Sequence, residues 1–356
     1  MAEHVRVLIV DDSAFVRRAV ERMLSDLPDV KVVGTATNGV DAVDLVKRLS
    51  PDVVIMDVNM PELDGLEALK QIMADAPTSV LMMSTLTREG ARTTLRALDL
   101  GAVDFVDKTA AGTVMDIYGL GPMLREKVRA VAGAALPRPS EPPPADRPAD
   151  APVPARPPHQ GRFELIAVGT STGGPRALVE FVSGFPADLD AGIVIAQHMP
   201  AGFTQTLAER LDRRSPLQVR EARDGDVIAP GTALLAPGGT QMTVARVNGE
   251  LVTRIDEAPS SLLHRPCVDL LFGSVAEVVG SRAVGVVLTG MGDDGAKGLA
   301  AMKAAGARTV AESEETAVIY GMPRAAAPSA EKILPLPEIA PYLSNLCGAW
   351  VTARGA

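Results

Sequence analysis

The sequence predicts two α/β units, each built on a parallel sheet wound on both faces, joined by a proline-rich spacer. Three observations carry that expectation. Strand-like and helix-like runs alternate regularly through residues 1–133. Residues 134–161 hold ten of the chain's 28 prolines. From residue 162 to 352 the alternation resumes, broken once by a hairpin signal. At 356 residues the chain is too long for one ordinary core, and two domains are the natural division.

The first unit reads as five strand–helix pairs. Strands are expected at Val5–Val10, Val30–Gly34, Val53–Met56, Val80–Met83 and Val103–Val106. Helices are expected at Phe15–Leu27, Gly39–Leu49, Leu66–Met73, Gly90–Leu100 and near Met123–Val131. Strands alternating with amphipathic helices imply a parallel sheet covered on both faces. The spacer, with Pro142-Pro143-Pro144 and Pro157-Pro158, cannot pack a core and favours extended, semi-rigid conformations.

The second unit opens with strand Leu165–Val168, helix Arg176–Val182, strand Ile193–Ala196 and helix Phe203–Leu211. From Val227 to Ile255 the chain turns rich in Gly, Pro and β-branched residues. Asn248-Gly249, between Val244–Val247 and Leu251–Ile255, is a hairpin turn signal. Strand Ala283–Leu288, helix Ala296–Ala304 and strand Thr309–Ala311 then restore the pattern. The expected fold is a doubly wound parallel-sheet α/β domain carrying an antiparallel hairpin insert.

Composition narrows the functions. Apolar residues make up 47% and aromatics 3%, so the cores are aliphatic, as buried parallel strands require. A formal net charge of −9 opposes nucleic-acid binding, which needs a basic footprint. Cys267 and Cys347 form no metal-ligand or redox spacing, and the expectation is reduced thiols in the cytoplasm. Met1 to His4 leads straight into a strand, and no apolar run reaches the roughly 18 residues of a membrane span. Neither a signal peptide nor membrane insertion is expected.

Polar residues gather where strands end. In the first unit Asp11 and Asp12 follow the first strand, Asp57 ends the third with Asn59 close behind, Ser84 ends the fourth, and Lys108 follows the fifth. Singly, each has an ordinary explanation: aspartates after strands cap helices, and lysines are usually solvated. Together, three converging carboxylates repel one another, and a hard divalent cation such as Mg2+ relieves that repulsion. A carboxylate held there can attack a phosphoryl donor, with metal and lysine offsetting the product's charge.

In the second unit three turns follow strands: Gly169-Thr170-Ser171-Thr172-Gly173-Gly174, Gln197-His198-Met199-Pro200 and Thr289-Gly290-Met291-Gly292-Asp293-Asp294-Gly295. In an open parallel sheet, chemistry collects outside the carboxyl ends of the strands. The first turn fits G-x-S-x-G, which lifts a serine hydroxyl above the sheet, and Pro175 suits the first turn of the next helix. Free amides at that helix start are placed to stabilise an oxyanion. A serine there is otherwise an N-cap, and Gly-rich turns more often cradle phosphate, but the spacing fits neither phosphate-loop nor dinucleotide patterns. Of four histidines, His4 is terminal and His159 lies in the spacer. His198 stands directly after a strand, whereas His264 follows no clear strand and ranks second as a base. Asp293 and Asp294 both qualify as the acid that orients the imidazole; Asp-Gly pairs also make turns without chemistry. The order Ser, His, Asp differs from the α/β-hydrolase order.

Ser171-Thr172-Gly173-Gly174, Gln197-His198-Met199-Pro200 and Leu288 through Gly295 together resemble the chemotaxis protein-glutamate methylesterases (CheB), and residues 4–131 resemble a response-regulator receiver domain. The resemblance implies Ser171 as nucleophile, His198 as base and Asp294 as orienting acid, with backbone groups near Thr172 and Met291 forming the oxyanion site. It implies phosphorylation of Asp57, Mg2+ at Asp12, Asp57 and the Asn59 carbonyl helped by Asp11, phosphoryl contacts from Ser84 and Lys108, and a switch position at Phe105. The expected activity is demethylation of glutamate γ-methyl esters on chemoreceptors, with deamidation of selected glutamines, controlled by a chemotaxis histidine kinase. Hydrolysis itself is expected to need no cofactor. Cys267 stands where the family often has serine. A binding-only output domain, a small-molecule esterase and a transcriptional regulator are the alternatives. Acidic charge and the absence of a terminal helix-turn-helix pattern oppose the last.

Overall fold

A computed structural model of the protein describes residues 4–85, 87–109, 114–134, 163–257 and 263–348. The chain divides into two compact units, Met1–Glu141 and Pro142–Ala356. From residue 135 onward the predicted spacer lies outside the described residues, as does the end of the second unit beyond residue 348.

The first unit runs β1 (Val5–Val10), α1 (Ala14–Ser25), β2 (Val30–Ala36), α2 (Gly39–Leu49), β3 (Val53–Asp57), α3 (Gly65–Asp75), β4 (Ser79–Ser84), α4 (Arg88–Asp99), β5 (Asp104–Asp107) and α5 (Gly121–Ala132). Its sheet is parallel in the order β2-β1-β3-β4-β5. β3, β4 and β5 are buried along their whole length, which is why Val53–Met56 and Val80–Met83 read as continuous apolar runs rather than alternating ones. Ser13, Asn38, Asp64 and Thr87 accept from backbone N–H groups at the starts of α1 to α4, and such caps fix where each helix begins. The order reverses between β1 and β3, and the crevice at such a switch point is where ligands bind.

The second unit runs β6 (Leu165–Thr170), α6 (Gly174–Ser183), β7 (Gly192–Gln197), α7 (Phe203–Arg214), β8 (Gln218–Glu221), β9 (Thr232–Leu235), β10 (Gln241–Val247), β11 (Glu250–Asp256), α8 (Val268–Val278), β12 (Ala283–Val287), α9 (Ala296–Ala304), β13 (Arg308–Glu312), α10 (Met322–Ala326), β14 (Lys332–Leu334) and α11 (Leu336–Cys347). Seven strands form a parallel sheet in the order β14-β13-β12-β6-β7-β9-β8. The chain leaves β6 toward β7 on one side and returns on the other with β12. The switch point therefore falls between β6 and β12.

The antiparallel hairpin stands where Val244–Val247 and Leu251–Ile255 predict it and is slightly longer. β10 and β11 pair antiparallel, closed by Asn248 (φ 51°) and Gly249 (φ 87°), the left-handed pair a two-residue hairpin demands, and Val227 adds a single antiparallel bridge to Val252. β9 instead joins the main parallel sheet between β7 and β8. Its core, Ala233-Leu234-Leu235, is fully buried, and so short an apolar run carries no sign of its partner. β8, α8, α10, β14 and α11 lie outside the elements the sequence predicts. α8 has a legible signal: Val268, Leu271, Phe272 and Val275 are its buried residues, spaced i, i+3, i+4, i+7 as on one helix face.

Candidate active site

Strand register brings Ser171 and His198 together. β6 and β7 pair in parallel, with Thr170 opposite Gln197 as the last partners. The His198 N–H donates to the Thr170 carbonyl at 3.1 Å. Ser171 and His198 are thus the first residues past the ends of two neighbouring strands, which lie about 4.8 Å apart. On the other flank the Ser171 N–H donates to the Thr289 carbonyl at 3.0 Å, and Leu288 N–H to the Gly169 carbonyl at 2.9 Å. Gln197, 1% exposed, fastens the two turns from beneath, donating from Nε2 to the carbonyls of Ser171 (2.9 Å) and His198 (3.0 Å). Among the described residues the Ser171 hydroxyl has no hydrogen-bond partner.

Asp294 completes the cluster. Its Oδ2 lies 2.7 Å from His198 Nε2, so a carboxylate there makes Nε2 the protonated nitrogen and leaves Nδ1 as the ring's acceptor. Asp294 also accepts from the Val268 and Asp269 N–H groups, both at 2.8 Å, and from Cys267 Sγ at 3.3 Å. The carboxylate therefore sits on the amino end of α8, where the helix's free amides favour negative charge. Burial alone would raise its pKa; the hydrogen bond and charge of His198 and the two α8 amides outweigh burial and hold it well below the usual carboxylate range. Asp293, the other aspartate of the turn, is exposed and does not meet the ring. Asp269 returns the favour to the next helix, its Oδ1 accepting from Gly295 N–H (2.9 Å) and Gly298 N–H (2.7 Å) at the start of α9.

His264 stacks on His198, with ring centroids 4.0 Å apart and planes 9° from parallel. Burial, and after it the neighbouring His198, push its pKa down to about 4, so it faces His198 as a neutral ring near pH 7. Cys267 is pushed up to about 11, first by burial and then by the Asp294 charge. It stays a thiol and serves Asp294 only as a weak donor.

The third turn closes over the serine because Gly290 has no side chain. A Cβ there would stand 2.9 Å from Ser171 Cβ and 2.3 Å from Met322 Sδ. Gly173, at φ +81°, supplies the left-handed residue that lets the chain enter α6 immediately after the serine. Met291 is partly exposed beside it, and Thr172 is 2% exposed with its carbonyl accepting from Thr289 Oγ1 at 2.9 Å. We expect Gly290→Ala to displace the serine turn and to slow any chemistry at Ser171 at least tenfold. The melting temperature should drop too, since overpacking costs about 1–3 kcal/mol; activity and thermal melts on one preparation would check both.

A hydroxyl, an imidazole and a carboxylate at one switch point can perform acyl transfer: base-assisted attack, then hydrolysis of the acyl intermediate. Gln197, Asp269 and α8 were missed as supporting parts. Gln197 stands inside a stretch the sequence singles out, but a side chain that supports a turn looks like any other polar residue in sequence.

The first unit holds a second cluster at its β1/β3 switch point. One oxygen from each of Asp11, Asp12 and Asp57 lies within 4.8 Å of the others. Lys108 Nζ lies 2.7 Å from Asp11 Oδ2 and 2.9 Å from Asp57 Oδ1. Asp57 is 7% exposed; burial pushes its pKa up, and the Lys108 charge and hydrogen bond only partly reverse that. Three carboxylates converging on one point are a donor set of the hard oxygen type that Mg2+ takes. Ser84 is buried at the end of β4, and the Lys108 N–H donates to its carbonyl at 2.7 Å. Asn59 is exposed beyond β3. Phe105 is 5% exposed, turned into the unit, with Lys127 Nζ 6.0 Å from its ring centroid.

Comparison with known proteins covers both units. A profile described as CheB methylesterase matches residues 166–343, and one described as response regulator receiver domain matches residues 7–116. A protein-glutamate methylesterase/protein-glutamine glutaminase of Geobacillus kaustophilus is 44% identical over 97% of this chain and 99% of its own. A second protein so named, from Pseudomonas aeruginosa, is 45% identical over 95% and 96%. The solved catalytic domain of Thermotoga maritima CheB methylesterase is 39% identical, spans 52% of this chain and 98% of its own, and superposes with a TM-score of 0.50. Among the described residues no helix is long and apolar enough to cross a membrane.

Proposed function

This chain belongs to the family of CheB methylesterases that carry a receiver domain, and from that premise we propose how its own residues do the work. It is a protein-glutamate methylesterase/protein-glutamine glutaminase of chemotaxis adaptation. The observation that carries the site assignment is the His198–Asp294 pair standing one strand away from Ser171.

Ser171 is the nucleophile. Nδ1 of His198 takes its proton as the hydroxyl attacks the γ-ester carbonyl of a methylated glutamate on a chemoreceptor. Asp294 holds the ring with Nε2 protonated and offsets the imidazolium charge. Amides near Thr172 and Met291, at the start of α6 and in the β12 turn, receive the developing oxyanion. Methanol leaves with the proton from His198. Water then attacks the acyl-enzyme, with His198 again the base, and glutamate is released. A glutamine amide presents the same electrophile and loses ammonia by the same steps. Hydrolysis needs no cofactor.

Control resides in the receiver. Asp57 accepts phosphate from a chemotaxis histidine kinase. Asp11, Asp12, Asp57 and the Asn59 carbonyl hold Mg2+, which when bound supplies charge neutralisation at the phosphoryl group. Lys108 and Ser84 contact that group, and Phe105 responds to it. Converting a mostly inactive population into a mostly active one, a hundredfold each way, takes about 5.5 kcal/mol of differential stability. The enzyme works in the cytoplasm on receptor helices, without inserting in the membrane.

The test is methanol release from methylated receptor membranes, with and without a small phosphodonor and Mg2+. Wild type is expected to turn over faster with phosphodonor. Asp57→Asn should keep its basal rate and lose that response, since the amide cannot form the acyl phosphate. A phosphodonor response that survives Asp57→Asn would refute the receiver assignment. Hydrolysis of simple esters with none of methylated receptor would make the protein a small-molecule esterase.

A further inference from the structure

We propose that Glu312 is a positioning residue for this hydrolysis: through Thr289 its carboxylate fixes the backbone that carries Ser171. The inference rests on the active-site reading above. Glu312 ends β13 at 0% exposure. Its Oε2 accepts from the Thr289 N–H at 2.7 Å, and its Oε1 accepts from Thr316 Oγ1 at 2.9 Å. Thr289 in turn gives its carbonyl to the serine turn and divides its hydroxyl between that turn and Ile319. Its carbonyl accepts from Ser171 N–H (3.0 Å) and Thr170 Oγ1 (2.7 Å). Its hydroxyl donates to the Thr172 carbonyl (2.9 Å) and accepts from Ile319 N–H (2.9 Å). Glu312 is thus the far anchor of a relay that reaches both the nucleophile and the residue after it.

A buried acid at this place is hard to explain by stability. None of the ion pairs among the described residues involves Glu312. The charged group of α6 that acts on it is Glu180, a like charge, itself opposed by Arg176 on the same helix. β12 carries no charged residue, and Glu312 is opposite Leu334 in β14. Lys297 and Lys303 on α9, Arg324 on α10, Glu338 on α11 and Glu314 and Glu315 in the following turn are all exposed. Burial pushes Glu312 up to about 7 from an ordinary 4.5, against the pull of the Thr289 N–H and the Thr316 hydroxyl. The native state therefore holds this proton more tightly than the unfolded chain. Stability from it is full below 4.5 and falls as pH rises through about 7. Ionised Glu312 works against folding while gripping Thr289 most firmly, since charged acceptors make the stronger bonds.

Glu312→Gln separates the two effects. The experiment uses the full chain on methylated receptor membranes with saturating phosphodonor, from pH 6 to 8, with thermal melts on the same samples and Ser171→Ala in parallel. At pH 8 Glu312→Gln should melt no lower than wild type, yet show a kcat about fivefold to tenfold lower with KM within about twofold. That is the fold-change for losing about 1 kcal/mol when a charged acceptor becomes neutral. At pH 6, where wild type is itself protonated, the two rates should converge. Thr316→Val, which removes one donor from the carboxylate, should move the wild-type rate loss to higher pH, and it decides the matter if Glu312→Gln does not fold. Equal kcat for Glu312→Gln and wild type at every pH, beside an inactive Ser171→Ala, would overturn the role of Glu312 and leave the enzyme assignment standing. An active Ser171→Ala would overturn the assignment beneath it.

Discussion

Ser171→Ala should abolish methanol release from methylated receptor, with kcat down by about 10^6, the scale on which nucleophile deletions act in serine hydrolases. The argument is geometric. The hydroxyl stands past the end of β6, one strand from His198, and makes no hydrogen bond to a described residue. Removing it therefore deletes chemistry and little else. The positions of Gln197, Thr289 and Gly174 depend on the Ser171 backbone, whose N–H and carbonyl carry three hydrogen bonds that alanine keeps. The melting temperature should stay within a degree or two, because surface-like side-chain changes outside a packed or bonded setting usually cost under about 0.5 kcal/mol. Receptor binding should persist, and no acyl-enzyme should be trapped on acid quench. A folded Ser171→Ala that still demethylates receptor would remove the hydroxyl from the mechanism.

Much of this arrangement was legible in the sequence because both sheets obey one rule. Strand ends at a switch point collect the chemistry, so Asp11, Asp12 and Asp57 in one unit and Ser171 and His198 in the other could be located from strand assignments alone. The choice between Asp293 and Asp294 could not. It depends on which carboxylate meets the amino end of α8, and the apolar stripe Val268, Leu271, Phe272 and Val275 marks a helix there without saying which carboxylate it faces. The placement of β9 was hidden for a different reason. A four-residue buried strand presents no exposed face, so nothing in Thr232–Leu235 distinguishes a hairpin partner from the parallel neighbour of β7. Supporting residues were the least visible. Glu312 follows the expected strand Thr309–Ala311 as one acid among several in Glu312-Ser313-Glu314-Glu315, and only three-dimensional packing shows that it alone is sealed from water and tied to Thr289.

Asp294→Asn should cost about 10^4 in kcat, the price a triad pays when its acid becomes an amide, and it should also cost stability, which Ser171→Ala does not. Asp294 accepts four hydrogen bonds: from His198 Nε2, the Val268 and Asp269 amides and the Cys267 thiol. An asparagine has one oxygen to divide among them. With its NH2 at the present Oδ2 site it faces the Val268 N–H and donates to Nε2, so His198 must carry its proton on Nδ1 and can accept nothing from Ser171. With its NH2 at the Oδ1 site the histidine tautomer survives, but the Asp269 N–H meets another donor. Either way one buried amide at the start of α8 loses its acceptor, at about 1–3 kcal/mol. The acid side of the stability profile should change as well. The native Asp294 is held below its ordinary 3.8, so it contributes stability at neutral pH that is lost as pH falls below that value. Asp294→Asn should melt lower than wild type at pH 7, and the gap should narrow toward pH 3. A variant with wild-type turnover, or one whose melting deficit is the same at pH 7 and pH 3, would mean that the carboxylate charge serves neither the imidazole nor the helix.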